Sequence, residues 1–183
     1  MTGCRLVPVD LREDLPCLYA MMTGEDQYLF STKLCFHSMD SFGHWLQDHL
    51  GNHFHDFYMV RLASAGDMSE TTIGYVHNYD FSLIDGHCKL SVYIQPAYRQ
   101  TGLGGIAAAL FMQRLFAEYP LRKLYSAIYE YNAESLRSNL AAGFQEEGVL
   151  RDYRYYNGAY HDLYYLSITR EQFQSRLEKL VTV

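Results

Sequence analysis

The first apolar run, Cys4 to Val9, reads as a short strand. Behind it Leu11, Leu15, Leu18, Tyr19 and Met22 recur at helical spacing. Asp10, with Glu13 three residues on, has the spacing of a capping box with Asp in place of Ser or Thr. Gly24-Glu25-Asp26 breaks that helix, and Gln27 to His37 shows no clear period. Ser38 or Asp40 then caps a second helix through Leu50, with Phe42, Trp45, Leu46 and His49 on one side. Three strand-like runs follow, Phe54–Ala63, Thr71–Phe81 and His87–Ile94, the last two joined through the hairpin pair Asp85-Gly86. The pattern predicts an antiparallel meander with two early helices forming a flap over one end of it.

Past Ile94 come Pro96 and a polar loop, Arg99-Gln100-Thr101-Gly102-Leu103-Gly104-Gly105. Leu103, Ile106, Ala107, Leu110, Phe111 and Leu115 then mark a helix with a wide apolar face that ends before Pro120. Lys123–Tyr129 reads as the next strand, and a strand–loop–helix–strand order predicts a parallel pair with a right-handed crossover. Asn132 caps a helix over Ala133–Ala142 that stops at Gly143. Phe144–Tyr156 and Tyr160–Ile168 are two more strands, turned at Asn157-Gly158, and Thr169 opens a polar terminal helix carrying Phe173, Leu177 and Leu180. The expectation is an α+β protein, with residues 1–183 as one domain around a mixed sheet of six to seven strands flanked by helices.

Composition narrows the function classes. At 49% hydrophobic and 20% charged the chain is of ordinary globular type, and a net charge of −6 gives no general attraction to nucleic acid. No 18-residue apolar stretch occurs, and no basic segment followed by an apolar run stands at the N-terminus, so neither a membrane nor secretion is expected. Cys4, Cys17, Cys35 and Cys88 include no CxxC and read as reduced thiols of a cytoplasmic protein. His49, His53 and His55, beside Asp48 and Asp56, have a spacing that a metal would accept, but a helix-to-strand turn favours solvated loop histidines, and no metal is expected.

The glycine loop admits three ligands. A Walker A loop is excluded, because no Lys-Ser or Lys-Thr pair follows the glycines. Gly102-x-Gly104-x-x-Ala107 fits the dinucleotide pattern, but that fingerprint follows its strand directly and opens its fold, whereas Gln95 to Thr101 intervene here. The third ligand is the pyrophosphate of acetyl-coenzyme A. Arg99-x-x-Gly102-x-Gly104 resembles the R/Q-x-x-G-x-G/A motif of the GNAT acetyltransferase superfamily. Three further pieces are similar to the C-terminal half of its ribosomal-protein N-terminal and spermidine acetyltransferase branch: Asn132 to Ser135, Ala142 to Arg151, and Tyr156 to Asp162. The order of elements resembles that fold along nearly the whole chain.

The resemblance implies an N-acetyltransferase that moves the acetyl group of acetyl-coenzyme A to a primary amine: a peptide N-terminus, a polyamine or another small amine. It implies that the backbone of Val92, Tyr93 and Ile94 pairs with the pantetheine arm. The N–H groups of Arg99, Gln100, Thr101, Gly102, Leu103, Gly104 and Gly105 would hold the pyrophosphate, and the Arg99 side chain would add a charged contact. Asn132 would bind the arm or cap its helix. Many relatives place a tyrosine, the acid for the leaving thiolate, seven residues after Asn132. Here Asn139 stands there, and an amide is no acid, so either Asn139 would orient the sulfur by hydrogen bonding or another group or water would act as the acid, with Ser135, on the same helix face, as a candidate substitute. Relatives often carry a carboxylate base near the start of the strand that runs from His87 to Ile94. His87 occupies that place, with His77 and Tyr79 as further candidates. Glu25 and Asp26 would attract a cationic amine, and Tyr28, Phe30, Trp45 and Tyr79 would line its pocket. A homodimer is left open. Two other readings compete: a catalytically weak acetyl-CoA-binding sensor or interaction module and, more distantly, a nucleotide-binding oxidoreductase.

Overall fold

Alternation along the strands sends two apolar sets to opposite faces of one seven-stranded sheet. A computed structural model describes residues 3–30, 36–63 and 69–181, with side chains through 178. Cys35 and the side chain of Leu180 therefore lie outside the described part. The strands are β1 (Cys4–Pro8), β2 (Phe57–Ala63), β3 (Glu70–Ser82), β4 (His87–Ile94), β5 (Lys123–Tyr129), β6 (Gln145–Tyr156) and β7 (Ala159–Thr169), and their spatial order is β1-β2-β3-β4-β5-β7-β6. All neighbours are antiparallel except β4 and β5. The helices are α1 (Leu15–Thr23), α2 (Met39–Leu50), α3 (Leu103–Glu118), α4 (Ala133–Ala142) and α5 (Arg170–Val181).

On one face Val60, Val76, Cys88, Leu90, Ile94, Leu124, Ile128, Leu166 and Ile168 pack with Ala107, Phe111 and Leu115 of α3 and Phe173 of α5. On the other, Met59, Tyr75 and Tyr93 pack with Leu18, Met21 and Met22 of α1 and Phe42 and Leu46 of α2. Each fully buried side chain of this kind stabilises by roughly 1.5–3 kcal/mol relative to exposure, so these two faces fix where α1, α2 and α3 sit.

Local chemistry sets the ends of the elements. Helix α1 begins at Leu15, later than the Asp10–Glu13 box predicts. Pro16 lacks an N–H and suits only a first turn. The buried Asp14 stands ahead of it, its Oδ2 accepting from Asp10 N (2.9 Å) and its Oδ1 from Arg61 Nη2 on β2 (2.9 Å). Strand β2 starts at Phe57, not Phe54, because Asn78 ties the preceding residues into a turn. The Asn78 side chain accepts from Asp56 N (2.7 Å) and donates to Phe54 O (2.9 Å). Ser38 and Ser41 cap α2 reciprocally. Among the described residues no helix is long and apolar enough to cross a membrane.

Candidate active site

Strands β4 and β5 are in register only at His87–Lys123, Cys88–Leu124 and Lys89–Tyr125, after which they part. β4 continues to pair with β3 as far as Ile94, and β5 with β7 as far as Tyr129, so each keeps one open edge facing the other. Between these edges lies a cavity of about 740 Å³. Its walls include Leu90 to Ile94 of β4 and Ser126 to Ile128 of β5. It is lined by α3 and α4 residues on one side of the sheet and by Leu29 and Phe30 on the other, so it passes through the sheet.

The loop Gln100–Gly105 closes one end. Gly102 caps α3 with φ +83°, a left-handed conformation that glycine adopts at little cost. The first N–H groups of α3 have no acceptor within the helix, and the helix dipole adds partial positive charge there. Gly104 and Gly105 line the cavity. A Cβ at Gly104 would meet only Ile94 Cγ1, at 3.4 Å, and one at Gly105 nothing within 4 Å. The backbone is thus bare toward the cavity, which is the form of a phosphate cradle.

Arg99 lines the same cavity, but its guanidinium is engaged by the chain itself. Its Nε donates to Ile94 O (2.9 Å) and its Nη2 to Asp26 Oδ2 (2.6 Å). Tyr93 OH donates to the same carboxylate oxygen (3.2 Å). Asp26 lies in the single 3-10 turn after α1, Glu25–Leu29, so this clasp binds the flap to the glycine loop. The flap is pinned from its other side by aromatics. Tyr28 stacks on Tyr156 at 5.0 Å, Tyr131 OH donates to Tyr28 O, and Arg154 donates to Phe30 O while lying 4.7 Å from the Tyr129 ring centre.

A family model described as the acetyltransferase (GNAT) domain matches residues 5–145 of this sequence. The chain belongs to the GNAT acetyltransferase family. A curated relative, the SPbeta prophage-derived uncharacterized N-acetyltransferase YokL of Bacillus subtilis, is 23% identical over 75% of this chain and 74% of its own length. Among solved structures, spermidine N-acetyltransferase from Vibrio cholerae, crystallised with CoA and spermine, superposes with a TM-score of 0.84. Its identity is 19%, over 94% of this chain and 98% of that one. A probable GNAT acetyltransferase from Chromobacterium violaceum gives 0.73 at 21% identity, over 94% and 85%. The mixed sheet of this GNAT enzyme is the fold those neighbours share.

Within the GNAT cavity the expected residues separate into groups. Val92, Tyr93, Ile94, Arg99, Gln100, Gly102, Gly104, Gly105, Asn132, Ser135 and Asn139 all line it. Leu103 is turned into the core, and Thr101 Oγ1 donates to Tyr98 O within the loop. Asn132 caps α4 by accepting from Ser135 N (3.3 Å). Asn139 Nδ2 donates to Ser135 O (2.9 Å), so the amide is held along its own helix. His87 pairs with Lys123 at the closed end of the β4–β5 ladder, edge-on to Tyr125, and does not line the cavity.

His77 is buried against Phe57, and its pKa is pushed down to about 3, first by burial and then by the neighbouring His49. His49 and His55, read as solvated from the sequence, are stacked on each other at 4.1 Å. Burial, then the charge of His55, brings His49 to about 4. The reason is that α2 leads straight into the Asn78-tied turn, which folds His55 back over the helix end. Among the described residues no group of three or more potential ligands is placed to hold a metal ion. Sequence reading also missed Arg176 of α5, which lines the cavity and donates to Ala141 O (2.7 Å). It missed Lys89 and Tyr165 as well, whose juxtaposition depends on strand order.

Proposed function

We propose that the enzyme transfers the acetyl group of acetyl-coenzyme A to a primary amine on a peptide N-terminus, a polyamine or another small molecule. The observation that carries this is the opening between β4 and β5: a three-residue ladder, then two bare strand edges around a cavity that crosses the sheet and ends at a glycine-lined helix N-terminus. Acetyl-coenzyme A supplies the activated acetyl group. The open edge of β4 from Val92 to Ile94 pairs with its amide-rich arm as an added strand would, and an N–H on that edge polarises the acetyl carbonyl. Backbone N–H groups from Gln100 to Gly105 hold the pyrophosphate. Arg176, whose partner is a carbonyl oxygen rather than a carboxylate, offers a cation to phosphate. A cavity of about 740 Å³ that runs from the strand edges to the glycine loop, and the CoA and spermine bound to the Vibrio cholerae neighbour, support the reading. The unpaired thiols Cys4, Cys17 and Cys88 fit a cytoplasmic site of action.

The held amide of Asn139 favours a second reading, a weakly active module that binds acetyl-coenzyme A. One experiment separates the two. Calorimetry with acetyl-coenzyme A is run beside a thiol-release assay over a panel of peptide N-termini, polyamines and amino acids. Turnover on one amine class with tight donor binding is expected. Binding without turnover on any amine selects the module, and no binding removes both. Gly104→Val is the control for the cradle: it should keep the fold and lower donor affinity on the order of 100-fold, since the added carbons stand where the backbone must approach phosphate.

A further inference from the structure

The cavity has two arms. One passes through the sheet, between Ser91 and Ala127, toward Leu29 and Phe30. The other runs as a groove between α3 and α4. Gly105, Ala108, Ala109 and Met112 all line it, and their i, i+3, i+4, i+7 spacing makes them one stripe of α3. Asn132, Ser135, Asn139 and Ala142 form the facing stripe of α4. Between Gly105 and Met112 the helix rises about 10 Å, so the groove leads well away from the phosphate cradle. Helix α5 closes its far end. Phe173 and Leu177, one turn apart on α5, line the cavity there, and the Phe173 ring lies 5.6 Å from that of Phe116, one turn beyond Met112. The family match ends at residue 145, so α5 lies outside the part of the chain that it covers.

Arg176 stands on α5 between those two apolar residues and lines the cavity with them. Its Nη1 donates to Ala141 O (2.7 Å) in the last turn of α4, which holds the guanidinium at the cavity wall. A Cβ at Gly143 would overlap the Arg176 side chain, so the glycine that ends α4, at φ +97°, also leaves the arginine its path. The other arginine that lines the cavity, Arg99, is bound to the Asp26 carboxylate. The acceptor of Arg176 is a carbonyl oxygen, which does not neutralise its charge. The cavity therefore offers two anion positions, the glycine cradle and Arg176, with a largely apolar groove between them. Coenzyme A has phosphates in that arrangement: a pyrophosphate on the ribose 5′ side, a separate phosphate on the 3′ oxygen, and a flat adenine beside them. We propose that Arg176 binds the 3′-phosphate of coenzyme A, with the adenosine lying between α3 and α4. Helix α5 thereby selects free coenzyme A thioesters over donors that lack this phosphate, such as a thioester on the phosphopantetheine arm of a carrier protein. This rests on the reading of acetyl-coenzyme A as donor.

The test is calorimetry of the full chain with coenzyme A and with dephospho-coenzyme A, which differ only in that phosphate. The wild type should bind coenzyme A on the order of 10-fold more tightly, the low end for a charge-assisted contact, since the arginine is exposed. Arg176→Met should lower coenzyme A affinity to that of dephospho-coenzyme A and leave the latter unchanged. Arg176→Lys should restore part of the difference, and high salt should shrink it. Arg114→Met removes a cation of α3 that is paired with Glu118 and does not line the cavity, and it should keep the wild-type ratio. A purely structural role for Arg176, as a brace on Ala141, would weaken both ligands alike. That result, or equal affinity of the wild type for the two ligands, overturns the proposal. If neither ligand binds to the wild type, it is the donor assignment that fails.

Discussion

The two sides of the β4–β5 opening are built from different material. On the α3 and α4 side much of the wall is main chain and small residues, Gly104, Gly105, Ala108, Ala109, Ser135, Ser138 and Ala142, beside the larger Met112, Asn139, Phe144 and Arg176. Its chemistry is that of bare N–H groups and a helix terminus. On the α1 and α2 side the surroundings are large side chains already paired with one another: Tyr28 on Tyr156, Arg154 over Tyr129, Asp26 on Arg99 and Lys89 on Asp80. The first side is shaped to take a ligand's polar backbone as it stands. The second is occupied by its own contacts, so an acceptor must displace or exploit them. On the proposed reading, donor recognition rests chiefly on exposed backbone, with Arg176 beside it, and acceptor recognition on the exchange of side-chain contacts.

The sharpest test of that contrast compares two glycines that share Ile94 as neighbour. A Cβ at Gly74 would overlap the backbone oxygen of Tyr93 and sit 3.0 Å from Ile94 Cδ1. Backbone oxygen cannot swing aside, so β3 and β4 must separate at the far end of the open edge, where Gly74 pairs with Ile94. Gly74→Ala should cost about 3 kcal/mol in urea denaturation and abolish donor binding. Gly104→Ala meets only a side-chain carbon at 3.4 Å and should leave stability unchanged or raise it by up to about 1 kcal/mol, as a helix gains from losing glycine. Equal losses in both would mean that the cradle glycine is a packing glycine too.

The next effect belongs to the histidines of the α2 side. The His77 pKa is pushed down to about 3, whereas in the unfolded chain it lies near 6.5. Above pH 6.5 both states are neutral and the stability is fully present. As pH falls below that, the unfolded chain takes up a proton that folded His77 refuses. Stability should then drop by about 1.4 kcal/mol per pH unit from this residue until the pH nears its folded pKa. His77→Phe, a ring that can keep the stack on Phe57, should flatten the thermal-melting profile between pH 6 and pH 4 by one proton's slope. Superimposable profiles would assign the acid sensitivity to other groups.

What was legible in the sequence follows the same division. β4, β5 and α4 have the boundaries their patterns predict, because each is closed by a local signal: Gly86 before His87, Asn132 and Gly143 around α4. The turn into α3 was legible for the same reason, since a left-handed cap at Gly102 and the helix start at Leu103 need only residues adjacent in the chain. The α1 and α2 side was not. Asp26 meets Arg99 across 73 positions, and Lys89 meets Tyr165 across 76. Neither pairing has a period or a motif, because it is created by strand order and by the crossing of β5. The Asp10–Glu13 spacing was a true capping pattern overruled by Pro16, and His87 was placed by position along a strand when the decisive variable was where that strand leaves its neighbour.

The smallest effect tests the link between the two sides. Asp26→Asn keeps the shape of the clasp but removes its charge, and Arg99 is still held by Ile94 O. The pair is only partly buried, so the stability loss should be below about 1 kcal/mol. The effect on donor binding has the opposite sign. If the donor's pyrophosphate lies in the glycine loop as proposed, it competes with the Asp26 carboxylate for the Arg99 guanidinium, so freeing Arg99 should tighten donor binding a few-fold by calorimetry, more at low salt than at high. The same substitution loosens the flap that carries Phe30 into the cavity, and the KM for the amine should rise. A donor affinity that falls instead would show that Asp26 orients Arg99 for phosphate rather than withholding it. The two sides would then be built as one site, not as two joined by an exchangeable ion pair.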